Sequence, residues 1–183
     1  GFFNISTLVG GTGNDSLNGL NAISSWQLSV NSNQYVSTNT LTFSAFENLI
    51  GGSDADTFTL TGSQTHNLIG NSGADSVIFN DNATLTGMFD GGADDDTLDF
   101  SRYTTARIVT LNALGSTDGF SGTATGISAT FDNVETILGS SAATDTWNGL
   151  NADARWDVDG TNTYTAINAI TFDNTNHTTR RTV

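Results

Sequence analysis

No cysteine, proline or lysine occurs in the 183 residues, and glutamate occurs only as Glu47 and Glu135. The missing cysteine excludes a disulfide scaffold and thiolate metal sites, and it leaves the redox compartment unread. The missing proline is compatible with uninterrupted strand ladders. Five basic residues stand against 19 acidic ones, for a net charge of −14. That balance argues against nucleic acid or an anionic membrane as partner, because phosphates would be repelled. No apolar run approaches the ~18 residues of a transmembrane helix. The opening Gly1-Phe2-Phe3-Asn4 lacks the basic segment and apolar run of a signal peptide. Without an initiator Met, the chain is expected to be an internal stretch or a processed piece of something longer.

What is present is turn and strand chemistry. Nearly all the acids are Asp, a turn residue and a hard-cation ligand, where a helix surface would use Glu and Lys. Thr, Ser, Asn and Gly fill most of the remainder, and alternating runs such as Thr57-Phe58-Thr59-Leu60 and Ile108-Val109-Thr110-Leu111 read as half-buried strands. Eleven Phe and three Trp separate the chain from disordered acidic sequences.

A short phrase repeats: an apolar pair, a Gly-rich turn, an Asp, then a β-prone residue. It reads Leu8-Val9-Gly10-Gly11-Thr12-Gly13-Asn14-Asp15, then Leu49-Ile50-Gly51-Gly52-Ser53-Asp54-Ala55-Asp56, then Leu68-Ile69-Gly70-Asn71-Ser72-Gly73-Ala74-Asp75. A fourth copy is Phe89-Asp90-Gly91-Gly92-Ala93-Asp94-Asp95-Asp96, and a worn fifth runs from Ile137-Leu138-Gly139 to Asp145. The steps Gly51–Gly70 and Gly70–Gly91 are 19 and 21 residues. A period near 20 with short strands predicts one coil of a right-handed parallel β-solenoid, with the Gly-Asp turns of successive coils stacked at one corner. A longer period of 129–130 residues relates Phe2-Phe3-Asn4 to Phe131-Asp132-Asn133, Asn18-Gly19-Leu20-Asn21 to Asn148-Gly149-Leu150-Asn151, and Trp26 to Trp156. The expected organisation is therefore a solenoid over residues 1–173, one long repeat at 1–130 and a partial second at 131–173, with 174–183 as a frayed tail. A series of small β-sandwiches would explain the long period but not the short one.

Residues 10–18 match Gly-Gly-x-Gly-x-Asp-x-apolar-x in full, the calcium-binding repeat of repeats-in-toxin proteins. The chain resembles those proteins in its turns. In the strand phrases Thr42-Phe43-Ser44-Ala45-Phe46-Glu47-Asn48-Leu49 and Thr97-Leu98-Asp99-Phe100-Ser101 it resembles the giant β-strand-repeat adhesins of bacteria. The resemblance implies an extracellular or cell-surface location, structural or adhesive work, and no catalytic residue. Calcium is the expected cofactor, with Asp54, Asp56, Asp75, Asp94, Asp95, Asp96 and Asp15 as carboxylate ligands and Gly51, Gly70 and Gly91 opening the turns. Carboxylates held one strand apart repel by roughly 3–4 kcal/mol at an effective dielectric of 20, which a cation between turns would relieve. The competing expectation is that these Asp side chains only close Asx-turns and face solvent.

The expected partners are neighbouring repeats or other copies docked on the solenoid ends, together with surface carbohydrate; neither nucleic acid nor membrane insertion is expected. Three other readings compete: a calcium-dependent polysaccharide-lyase or polysaccharide-binding β-helix using Arg102 or Arg107, an ice-binding array, and carbohydrate stacking on Trp26, Trp147 and Trp156. His66 and His177 have no partner at metal-ligand or triad spacing, and His66 is expected at the surface.

Overall fold

The computed structural model describes residues 4–141, 144–157, 163–166, 169–173 and 177–179. Among these residues the regular structure is all β, and no helix is long and apolar enough to cross a membrane. In chain order the first strands are β1 (Thr7–Val9), β2 (Ser16–Asn18), β3 (Ser24–Ser29), β4 (Asn33–Val36), β5 (Thr40–Ser44), β6 (Asn48–Ile50), β7 (Asp56–Thr61) and β8 (Ser63–Gln64). There follow β9 (Asn67–Ser72), β10 (Ser76–Phe79), β11 (Thr84–Leu85), β12 (Phe89–Ala93), β13 (Thr97–Asp99), β14 (Ile108–Leu114) and β15 (Phe120–Ala124). The last are β16 (Phe131–Val134), β17 (Thr136–Leu138), β18 (Asp145–Asn148), β19 (Arg155–Asp157), β20 (Thr163–Thr165), β21 (Ala169–Asp173) and β22 (His177–Thr179).

Two large sheets hold nearly all of them. The first has 11 strands in the order β1-β5-β4-β3-β7-β10-β13-β17-β21-β20-β19, and the second has nine in the order β2-β6-β9-β12-β16-β15-β14-β18-β22. A small third sheet pairs β8 with β11. From β6 to β13 the chain alternates between the large sheets, touching the small one on each return, so each circuit lays its strands parallel to those of the one before. Two hairpins in the first sheet (β3-β4-β5 and β19-β20-β21) and one meander in the second (β14-β15-β16) are antiparallel, which makes both sheets mixed. Of the expected tail, residues 177–179 form β22 against β18, and the rest lies outside the described residues.

Alternation along each strand sends one set of side chains inward. Parallel register then stacks like on like: Trp26, Phe58, Val77, Leu98 and Ile137 form one ladder in the first sheet. Leu17, Leu49, Leu68, Phe89 and Phe131 form its counterpart in the second. Within the core Trp26 stacks on Phe58 at 5.5 Å, and Phe79 meets Phe100 at 4.8 Å. The aromatic residues thus serve as core rungs; Trp26 is fully buried and Trp147 is 4 % exposed. The side chain of Trp156 lies outside the described residues.

A shared conformation marks the repeat. Asn4, Ala45 and Asn133 occupy the left-handed region at φ 61°, 57° and 53°. Asn tolerates that region better than Ala, whose Cβ crowds the following carbonyl. Ala45→Gly is expected to stabilise the fold by roughly 0.5–1 kcal/mol, read from the denaturant midpoint. A lower midpoint would mean that Ala45 makes a contact outweighing its backbone conformation.

Candidate functional site

The Gly-Asp turns place their final acids inside the protein. Asp56, Asp75 and Asp96 are each fully buried at the point where the chain enters the first sheet. Asp56 closes its own turn by accepting the Gly52 N–H at 2.8 Å, and it also accepts from the Ser24 hydroxyl and, at 3.4 Å, the Trp26 indole. A second bond ties each layer to the next. The N–H of Asp56 donates to Asp75 Oδ1 at 2.6 Å, and that of Asp75 donates to Asp96 Oδ1 at 2.8 Å. The N–H of Asp96 donates to Glu135 Oε2 at 2.7 Å. These carboxylates therefore join circuits as well as closing turns, so the expectation of solvent-facing Asx-turns fails for this inner set.

Glycine makes room for the column. A Cβ on Gly70 would collide with Asp75 Oδ2 and the carbonyl of Gly91, and one on Gly91 would collide with Asp96 Oδ2 and the carbonyl of Asn133. The carboxyl and carbonyl oxygens thus border the same point, both acceptors. Asp75 Oδ2 and Asp96 Oδ2 are buried without a hydrogen-bond partner, as are Glu135 Oε1 and Asp118 Oδ1. Burial, reinforced by Asp56 and Asp94, pushes the Asp75 carboxyl up to about 7 despite the N–H it accepts. Burial, with Glu135, Asp75 and Asp118 nearby, pushes Asp96 up to about 8. Burial again, then Asp118 and Asp95, raises Glu135 to about 7.

The other predicted ligands lie elsewhere. Asp54, Asp94 and Asp95 are exposed, and Asp94 Oδ2 accepts the Gly73 N–H of the preceding circuit at 3.1 Å. Asp15 is partly buried and closes its turn through the Gly11 N–H at 2.5 Å. The single stacking corner expected for all the turns holds for the copies at 51–56, 70–75 and 91–96 only. The copies at 10–15 and 139–145 connect the first sheet to the second, the reverse crossing, because they follow β1 and β17. At that crossing Asp145 accepts the Ser140 N–H at 2.7 Å and the Arg107 N–H at 2.7 Å, repeating the same two bonds.

Glu47 and Glu135 were absent from the expected set, yet both belong to this system. The Asp15 N–H donates to Glu47 Oε2 at 2.8 Å, as that of Asp96 does to Glu135. The Asp15 carbonyl accepts from Glu47 and Asn48 N–H, and the Asp96 carbonyl accepts likewise from Glu135 and Thr136. The signal was in the sequence: Thr42-Phe43-Ser44-Ala45-Phe46-Glu47-Asn48-Leu49-Ile50-Gly51 aligns with Thr130-Phe131-Asp132-Asn133-Val134-Glu135-Thr136-Ile137-Leu138-Gly139. Both phrases lack the long Gly-rich turn, and the longer Glu side chain spans the difference. The first runs from the first sheet to the second and the other runs back, so one phrase serves both crossings.

His66 is buried, which corrects its expected surface position. Its Nδ1 lies 2.8 Å from the Phe46 carbonyl, and burial holds the imidazole below its ordinary pKa. Arg107 is also built into the fold, lying 4.0 Å over the Tyr103 ring and donating to the Thr105 carbonyl at 3.0 Å. Arg102 is exposed and donates to Asn80 Oδ1 at 2.8 Å.

Calcium requires six to eight oxygens around one point. The orphaned oxygens of Asp75 and Asp96, each beside a carbonyl, have the right chemistry in too small a number. Among the described residues no three Asp, Glu or His side chains group as metal ligands. No protein-family model, curated protein or solved structure matches this chain.

Proposed function

We propose that this chain is a non-enzymatic, extracellular structural and adhesive repeat module, built as a right-handed parallel β-solenoid with circuits of about 20 residues. The observation that carries the reading is the layer-to-layer bond from a backbone N–H to a carboxylate, donated by Asp56, Asp75 and Asp96 and repeated at the other crossing. Chemistry given to joining circuits suits a load-bearing rod, and Arg102 and Arg107 are both engaged in structural contacts. The parent is a surface protein, a matrix protein or a fibre, with neighbouring repeats or copies on its ends and surface carbohydrate as the adhesive target.

Calcium stabilisation is part of this reading, and the orphaned oxygens of Asp75 and Asp96 support it. Completing the coordination would take ligands beyond those two levels. A proton on each carboxyl, facing the carbonyl beside it, is the second way to satisfy the same atoms, and the raised Asp75 and Asp96 carboxyls favour it wherever calcium is absent.

Melting at about pH 8.5 with chelator and with added calcium separates the two, since calcium that replaces missing protons raises the midpoint by stabilising the folded state. A midpoint indifferent to calcium removes the metal and leaves the solenoid. Uronate-containing polysaccharides incubated with the protein and calcium are expected to remain uncleaved. Turnover that survives purification would replace the structural reading with that of a lyase.

A further inference from the structure

Among the described residues, the core is open at one end of the strand stack. β1 ends the order of the first sheet and β2 that of the second. Beside them lies a largely apolar groove of about 340 Å³, lined in part by Ile5, Leu8, Leu17, Leu20, Tyr35 and Leu41. Ile5 is 45 % exposed and Val9 is 65 % exposed.

The same surface occurs a second time in the molecule, and there it is covered. At an offset of 129–130 residues these positions become Val134, Ile137, Trp147, Leu150, Tyr164 and Ile170. The equivalence is structural: Leu20 donates its N–H to the Tyr35 hydroxyl at 2.8 Å, and Leu150 donates its N–H to the Tyr164 hydroxyl at 2.8 Å. Thr7 pairs with Thr42 in one copy, as Thr136 pairs with Thr171 in the other. Yet Val134 and Ile137 are fully buried.

Three features make the cover. β13 pairs with β17 and β14 with β18, both in parallel register. Phe120, also fully buried, sets its ring edge-on to Tyr164 at 5.8 Å. The backbone completes the joint: Phe100 N–H donates to the Leu138 carbonyl and Thr146 N–H to the Arg107 carbonyl, each at 2.9 Å.

We infer that the open end is a docking surface for a second copy of residues 97–130 placed ahead of it, with Phe120 of that copy seated in the groove over Tyr35. The internal junction gives the register: Leu98 of the added copy faces Leu8, and Val109 faces Leu17. Val9 contributes the carbonyl that Leu138 contributes inside the chain, and Asp15 takes the Arg107 N–H that Asp145 takes there. The inference rests on the repeat reading, because it carries a contact within the chain over to a contact between units.

The test is a tandem in which residues 1–129 are fused directly before Gly1 of the full chain, so that the repeat offset is kept. A Thr12→Ser mark in the full-length portion lets its peptides be told apart by mass. Amide hydrogen exchange of residues 7–18 in that portion is expected to slow by at least about tenfold relative to the single chain. Residues 136–148 should be slow in both proteins. Ile5→Asp, at a position exposed in the single chain, should abolish the new protection and leave 136–148 unchanged. Equal exchange at 7–18 in tandem and single chain would overturn the docking surface while the repeat reading stands. Fast exchange at 136–148 in the single chain would remove the template and overturn both.

Discussion

Unfolding in chelator is expected to be easier at about pH 8.5 than at about pH 5, because the buried carboxyl column holds protons that the unfolded chain releases. Asp75, Asp96 and Glu135 stand at about 7, about 8 and about 7 in the fold, all above the ordinary carboxylate value. A folded pKa raised above the unfolded one leaves stability complete below about pH 4. It is then lost progressively as the pH climbs toward the folded values. Ionising one such group without relaxation would cost on the order of 4 kcal/mol, and domains have only about 5–15 kcal/mol in total. With water entry and local adjustment, a loss of roughly 3–5 kcal/mol across the range is expected, read from denaturant midpoints. A midpoint that holds or rises with pH would show that the carboxylates are charged and compensated.

Asp75→Asn and Asp96→Asn sharpen the same experiment. An amide keeps the shape, can still accept the N–H of the preceding circuit, and adds a donor that can face the carbonyl of Gly91 or Asn133. Each variant should gain stability near the alkaline end, lose little in acid, and flatten the pH dependence. If the variants weaken the protein at about pH 8.5 in chelator, a buried negative charge is itself needed there.

Gly70→Ala is expected to be among the most damaging single substitutions, at about 3 kcal/mol or more. Its new methyl would meet Asp75 Oδ2 and the Gly91 carbonyl, both fixed by the ladder. Gly13→Ala is the matched control, since a Cβ there meets nothing within 4 Å. It should shift the midpoint by less than about 0.5 kcal/mol, as surface changes away from special features do. Comparable effects at the two sites would mean that the turn glycines act through backbone freedom alone. That outcome would remove the role assigned to the cradle beneath the carboxylates.

Strand-forming phrases, the period near 20 and the inward Phe and Leu ladders were legible because a parallel register puts identical positions above one another. The buried acids were visible as residues but not as an interior column. Asp56 and Asp54 look alike in sequence, but Asp54 lies in the bend ahead of the strand and stays in solvent, whereas Asp56 opens β7 on its inward face. Which crossing each turn occupies was hidden for a different reason. The antiparallel β3-β4-β5 hairpin and the β14-β15-β16 meander keep the chain within one sheet for three strands, so a turn phrase can fall on either side. His66 departs from the rule that polar residues in a linking segment face out, because the Phe46 carbonyl gives it a buried partner. Glu47 and Glu135 could have been found from their rarity and their shared phrase.

The phrase that ends in Gly51 and its counterpart that ends in Gly139 cross between the sheets in opposite directions, yet make the same bonds. The phrase itself is therefore indifferent to the direction of crossing, although the small β8–β11 sheet lies at one crossing only. Recombination between two such phrases would delete or duplicate a whole number of half-turns, and everything downstream would exchange sheets without losing its ladder. Unequal exchange at this phrase would therefore change the length of the chain in steps set by the phrase while keeping the bonds of the crossing itself.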